Sequence, residues 1–174
     1  MILPRAEPDL RPLPLHRLSI AAGIILLGAV YLATLRQGQQ WGDDFAMYIL
    51  QARNVAAGQW SAPTGYIYNP HAPKVGPAAY PPVFPLMLAP LYRIWGLNLT
   101  PMKVEVTLCL LAALYLVFEF GAHLMPFAWA AGATAAVGLS PYFAAFKENV
   151  VSDLPFFGIS EVAGRGPAPP LLFW

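Results

Sequence analysis

The uncharged run Leu18–Leu35, LSIAAGIILLGAVYLATL, sets the terms on which this chain can fold. Eighteen helical residues rise about 27 Å, close to the roughly 30 Å of hydrocarbon in a bilayer. Arg17 and Arg36 stand at its two ends. A cleaved signal peptide is the competing reading, but the run is longer than a typical signal core and no small-x-small site precedes Arg36. Two further apolar runs follow, Val104–Met125 and Phe127–Phe146, separated only by Pro126. With 57% hydrophobic and 11% charged residues, the chain carries less than half the charge of an ordinary soluble domain. The expectation is an all-α, polytopic transmembrane helical bundle with spans over about 18–35, 104–125 and 127–146. The third span is rich in Ala and Gly, as closely packed membrane helices are, and Pro141 would kink it or end it early.

The parts outside the spans divide the chain. Residues 1–17, with Arg5, Arg11, His16, Arg17 and several prolines, read as a cytoplasmic tail. Residues 36–103 form a long outer loop, and 18–159 together form the membrane domain. Within the loop, Phe45, Tyr48, Ile49, Ala52, Val55 and Ala56 recur at helical spacing. That predicts a helix over Asp44–Ala57, opened by Gly42-Asp43-Asp44 and stopped by Gly58. A second short helix is predicted over Phe84–Trp95, after Pro81 and Pro82 and before Gly96. It is too short to cross a bilayer and suits the membrane interface, with Tyr92 and Trp95 as anchors. A fourth run begins at Asp153 and dissolves into EVAGRGPAPPLLFW, so residues 160–174 read as an atypical, truncated C-terminus.

Charge and cysteine content exclude several functions. The net charge is +1, which gives no field for nucleic acid. The single cysteine, Cys109, permits no intrachain disulfide, and His16, His71 and His123 are too scattered for a metal motif. No cofactor and no metal site is expected. Lys147-Glu148-Asn149 marks the expected return to water. With the N-terminus inside, three spans place residues 36–103 and the Asp153 region on one outer face.

That topology brings three carboxylates together. Asp43 and Asp44 follow span one, and Asp153 follows span three. Two acids on separate loops of one face can act as a base and its orienter. The same residues can equally cap the helices that follow them. Arg53, Lys74 and Arg93 are candidates for gripping phosphate, with solvated loop charges as the plainer reading. Tyr66, Tyr68 and Tyr80 are candidate groove or anchor residues. Glu119 and His123 form an i, i+4 pair on span two, either a satisfied rim contact or a proton relay.

Three segments carry a family resemblance. WGDDFAMYILQARNVAAGQ (41–59) resembles the first outer loop of GT-C fold glycosyltransferases, the group that includes protein O-mannosyltransferases and the aminoarabinose transferases that modify lipid A. An acidic pair there opens a short helix, followed by Tyr, Ala-Arg and Gly; Asp43-Asp44, Tyr48, Ala52-Arg53 and Gly58 hold those places here. AAYPPVFPLMLAPLYRIWGLN (78–98) resembles the Tyr-Pro-Pro segment and interfacial helix of bacterial members. KENVVSDLPFF (147–157) resembles the second outer acidic motif, with Asp153 in its acidic place.

The resemblance implies the N-terminal part of a GT-C-like fold in a bacterial plasma membrane. Its donor would be a polyprenyl-phosphate-linked sugar and its acceptor a hydroxyl on a lipid, glycan or protein. Asp43 or Asp44 would be general base, and Asp153 would orient the acceptor or share that role. Arg53, Lys74, Tyr80 and Tyr48 would contact substrate. Family members have several more spans, so an incomplete chain is not expected to act alone. The alternatives are a non-catalytic membrane subunit or truncated pseudo-enzyme and, third, a transporter component in which Glu119 turns toward another polar group.

Overall fold

The computed structural model describes residues 15–39, 41, 43–67, 69–72 and 80–152; the side chains of His16 and Asp43 lie outside that description. All regular structure among the described residues is helical: α1 (Leu15–Ala33), α2 (Asp43–Ala56), α3 (Val83–Trp95), α4 (Leu99–Leu124), α5 (Phe127–Gly138), α6 (Pro141–Ala145) and a 3-10 turn at Phe146–Glu148. Leu99–Leu124 is long and apolar enough to cross a membrane; Arg17–Ala33, Val83–Trp95 and Phe127–Gly138 are shorter apolar helices.

The helix ends follow local chemistry. Gly58 stops α2 at φ 75°, a conformation that favours glycine. Gly96 stops α3 at φ 61° and donates its N–H to Tyr92 O at 2.8 Å. Asn98 caps α4 by accepting the Thr100 N–H at 3.0 Å. α4 begins five residues before the expected Val104, because Thr100-Pro101 suit a first helical turn. The run over 127–146 is broken at Pro141, where a kink or an early end is expected. Pro141 has no N–H and forces Ser140 out of the helical region, to ψ 131°, so α5 ends at Gly138 and α6 restarts at Pro141.

α4 is the central helix. Met102, Val106, Leu110, Leu114 and Phe118 recur every four residues along it and are buried. α1 runs antiparallel to it. Arg17 meets Glu119, a Cβ on Gly28 would lie 2.5 Å from Leu111, and Lys103 reaches Arg36. The chain after α4 also returns along it. Ala130 lies against Gly121, Gly138 sits between Leu114 and Leu27, and Glu148 reaches Lys103. Although broken, α5, α6 and the turn together cover α4 from Gly121 to Lys103, about 27 Å of helical rise. The Tyr31 hydroxyl bonds to the Gly138 carbonyl and ties α1 to the end of α5.

α2 and α3 form a separate pair stacked at the Lys103 end of α4. Tyr48, Ile49 and Ala52 of α2 and Phe84 and Leu88 of α3 share one core with Met102, Val106, Leu110 and Val150. Buried hydroxyls inside the long helices bond back to their own helix: Thr107 to Lys103 O and Thr134 to Ala130 O, each at 2.8 Å. Much of the outward surface is nonetheless apolar, including Ile25, Leu26, Leu108, Phe120 and Trp129.

Candidate functional site

The site forms where α2, the residues leading into α3, and the strand of chain after the 3-10 turn meet. Asp44, Tyr48 and Gln51 stand at i, i+4 and i+7 on α2 and share one face. The Tyr80 hydroxyl donates to Asp44 Oδ1. The Gln51 amide holds the Tyr80 backbone in both directions, donating to its carbonyl at 3.0 Å and accepting its N–H at 3.1 Å. The paired amide bonds fix the Tyr80 ring over α2, and its centroid lies 4.9 Å from that of Tyr48. Tyr48 also meets Phe84 edge-on at 5.1 Å. At the tip of its buried ring, the Tyr48 hydroxyl is 2.6 Å from Ser152 Oγ.

Three of the expected residues therefore converge: Asp44, Tyr48 and Tyr80. Ser152, which immediately precedes Asp153, joins them. α2 begins at Asp43, as the acidic pair predicts to within one residue. The Asp43 side chain, the proposed cap at Gly42, Lys74, Tyr68, Asp153, the fourth run and residues 160–174 lie outside the described residues. Arg53 stands nine residues after Asp44, about 13 Å along the helix and half a turn round. It is exposed in the last turn of α2, away from the tyrosine cluster. Arg93 is likewise exposed, in the last turn of α3.

A buried charge network beneath the site was not visible in the sequence reading. Lys147-Glu148, expected at the return to water, instead packs inward, with Lys147 only 6% exposed. Lys103 is 2% exposed; its ammonium donates to the carbonyls of Arg36 (2.8 Å) and Gly38 and lies 3.7 Å from Glu148. Lys147 donates to Thr34 O at 3.0 Å and pairs with Glu148. The Arg36 N–H donates to Glu148 at 2.9 Å, and the Val150 N–H to Gln39 Oε1 at 3.1 Å. Burial alone would push the Glu148 carboxyl up. The hydrogen bonds from Lys147 and Arg36, with the charges of Lys147 and Lys103, outweigh it and hold Glu148 below the usual carboxylate range. This network fastens the exit of α1, the first turn of α4 and the segment leading to Ser152 to one another. The available signal was the position of all three charges at the edges of apolar runs, where a rim lysine buries its stem.

Glu119 does not pair with His123, which is exposed. It accepts from the Tyr115 hydroxyl at 2.8 Å and lies 3.3 Å from Arg17. This contact is at the opposite end of α4 from Asp44. Among the described residues no three His, Cys, Asp or Glu side chains gather as a metal site would require.

The arrangement can do one kind of chemistry well. A carboxylate with one oxygen held by a tyrosine keeps its second oxygen available to accept a proton from an incoming hydroxyl, and its rotamer is fixed. No protein-family model, curated protein or solved structure matches this chain.

Proposed function

We propose that the chain belongs to a polytopic membrane glycosyltransferase that moves a sugar from a polyprenyl-phosphate donor to an acceptor hydroxyl, with Asp44 as general base. The observation that carries this reading is the Asp44–Tyr80 hydrogen bond beside the Tyr48–Ser152 contact, which gathers all three segments of the family resemblance at one place. The multi-pass reading has its own support. α1 and α4 each rise about 24 Å between the Arg17–Glu119 end and the Lys103–Glu148 end, and the broken α5–α6 stretch follows α4 over a similar length, approaching a hydrocarbon thickness. Most of their outward side chains are apolar, as a lipid-facing surface is.

In this scheme the acceptor O–H gives its proton to the Asp44 carboxylate. The acceptor oxygen bonds to the anomeric carbon from the face opposite the phosphate. The bond to the phosphate oxygen breaks, polyprenyl phosphate leaves with the electron pair, and the sugar centre inverts. Tyr80 keeps the carboxylate aimed, and Asp153, next after Ser152, orients the acceptor. Basic side chains stabilise the departing phosphate; Lys74 is the candidate for this, since Arg53 faces away from Asp44 on α2.

The transporter alternative asked for an intramembrane acid facing another polar group, and Glu119 does meet Arg17 and Tyr115. Arg17 is one-third exposed, so this is an ion pair at the rim and not a relay through the bundle.

The test is sugar transfer in native membranes, where any partner the chain requires is present, supplied with radiolabelled polyprenyl-phosphate sugars. Asp44→Asn should lower the rate by about 10²–10⁴-fold, the usual worth of a general base. An unchanged rate in that variant, or failure of the wild-type chain to bind any polyprenyl-phosphate sugar, would sink the reading.

A further inference from the structure

Beyond the tyrosine cluster, α2 faces an open-mouthed cavity of about 470 Å³ lined by the loop that follows it. The loop is firmly built. Asn54, 6% exposed, donates its side-chain amide to Ala62 O at 2.9 Å, and its carbonyl accepts the Gln59 N–H at 2.8 Å. The buried Thr64 hydroxyl meets Met47 Sδ at 2.9 Å and accepts the Tyr66 N–H at 3.3 Å, while Gly65 turns the chain at φ 74°. The loop's largest ring is not tucked inside: Trp60 is 61% exposed, at the cavity wall, with the exposed Ser61 beside it.

We propose that this cavity is the acceptor subsite and that the acceptor is a carbohydrate. The inference rests on the glycosyltransferase reading and names its substrate class. A sugar ring presents weakly positive C–H groups on its faces and hydroxyls at its edge. An exposed indole supplies a negative π-face for the first, and the exposed Ser61 hydroxyl supplies a partner for the second. The volume falls in the ordinary range of small-ligand sites. Position gives the link to chemistry. Met47 and Gln51 line the cavity, and Gln51 is the residue that grips the Tyr80 backbone. Asp44 lies two turns earlier on the same helix, about 10 Å away along the axis. A glycan seated under Trp60 would extend its terminal hydroxyl along α2 toward the base.

The experiment uses the full chain in lipid nanodiscs. Saturation-transfer NMR is recorded with mannobiose and chitobiose as probes and with a Ser/Thr-containing oligopeptide as the competing acceptor class. Saturable disaccharide binding with a Kd of about 1 mM is expected, weakened at least about tenfold by Trp60→Ala (about 1.4 kcal/mol) and kept by Trp60→Phe. Trp60 is largely exposed, so neither variant should disturb folding. No saturable binding of either disaccharide, equal binding in Trp60→Ala, or peptide binding in their place overturns the proposal. So does quenching of Trp60 emission by lipids brominated in the acyl chain, which would make it a membrane anchor. Asp44→Asn separates the two readings. If it binds disaccharide but the wild type transfers no sugar, the enzyme reading falls and takes the acceptor role with it, leaving a carbohydrate-binding cavity. If the wild type transfers sugar yet binds neither disaccharide, the subsite falls alone.

Discussion

Removing either side of the Lys103–Glu148 contact should destabilise the protein by different amounts, and the order tests the account of the buried network. Lys103→Met keeps the volume and removes the ammonium. The Arg36 and Gly38 carbonyls lose a charged donor, each bond being worth about 1.5–3 kcal/mol. Both residues are exposed, so water recovers much of that and about 1 kcal/mol each remains. Glu148 is not orphaned, because Lys147 and the Arg36 N–H still hold it. The net loss is therefore about 2 kcal/mol, below the roughly 3–5 kcal/mol for stranding a buried charge. Glu148→Gln is the harsher change. It leaves two ammoniums, Lys103 at 2% and Lys147 at 8% side-chain exposure, with carbonyls but no counter-charge. Glu148 is itself 22% exposed, so the lower end of that range applies, about 3 kcal/mol. At about 2–4 °C per kcal/mol for a chain of this size, thermal unfolding in detergent should show drops of about 4–8 °C and 6–12 °C. The double variant should recover at least about 1 kcal/mol against the sum, since the two groups touch. A Lys103→Met variant as damaged as Glu148→Gln, or strict additivity, would refute the reasoning.

Other outcomes follow from single contacts. Tyr80→Phe removes the donor to Asp44 and leaves the Gln51 amide pair intact. It should lower transfer well before stability, by about 10–100-fold in rate against about 1 kcal/mol in an unfolding titration. Glu148 has a folded pKa held below its unfolded value, so its stabilisation is complete above the unfolded carboxyl range. The difference in unfolding free energy between the chain and Glu148→Gln, measured against pH, should therefore be flat near neutrality and shrink as pH drops through the folded pKa of Glu148. Gly138→Leu places a side chain where a Cβ alone would lie 2.8 Å from Leu114 and 2.9 Å from Leu27. It should lower stability by about 1–3 kcal/mol, and Gly138→Ala by less, because both neighbours are flexible side-chain ends.

Helix identity was legible in the sequence where periodicity and stop residues agreed. The spacing of Phe45, Tyr48, Ile49 and Ala52 with Gly58 located α2 to within a residue at each end, and Pro82 with Gly96 did the same for α3. Continuity was less legible than helix content. The run from Phe127 to Phe146 is uncharged throughout, so hydropathy alone carries it past the break; only Pro141, which withdraws one N–H and restricts Ser140, marks that break in the sequence. The break does not shorten the path. α5 and the Pro141–Glu148 stretch still travel the whole distance from Gly121 to Lys103, because each half packs separately on α4.

The site was legible to the extent that its residues lie on one helix face. Asp44 and Tyr48 share a face by spacing, but Tyr80 is 36 residues from Asp44, and Ser152 is 104 from Tyr48. Such pairings depend on the chain between them, which no local pattern encodes. Gln51 shows what was hidden. It reads as an ordinary polar position in a helix, yet it is 7% exposed and its amide matches the donor and acceptor of one distant peptide group. The same holds for Lys103 and Lys147. A lysine beside an apolar run ordinarily marks the return to water, and the cost of burying it argues for that reading. Here the carbonyls left open at the exit of α1 and the carboxylate of Glu148 offset that cost. One consequence reaches the site itself. Because Val150 bonds to Gln39 while Glu148 is held by Lys103, Lys147 and Arg36, the position of Ser152 against Tyr48 depends on charges well removed from Asp44. Lys103→Met should therefore weaken the Tyr48–Ser152 contact as well as the fold. A Ser152→Cys thiol should then react faster with a water-soluble maleimide in that variant than in a chain with Lys103 intact. Equal labelling rates would show that Ser152 is held by Tyr48 alone, and that the network serves stability without positioning the site.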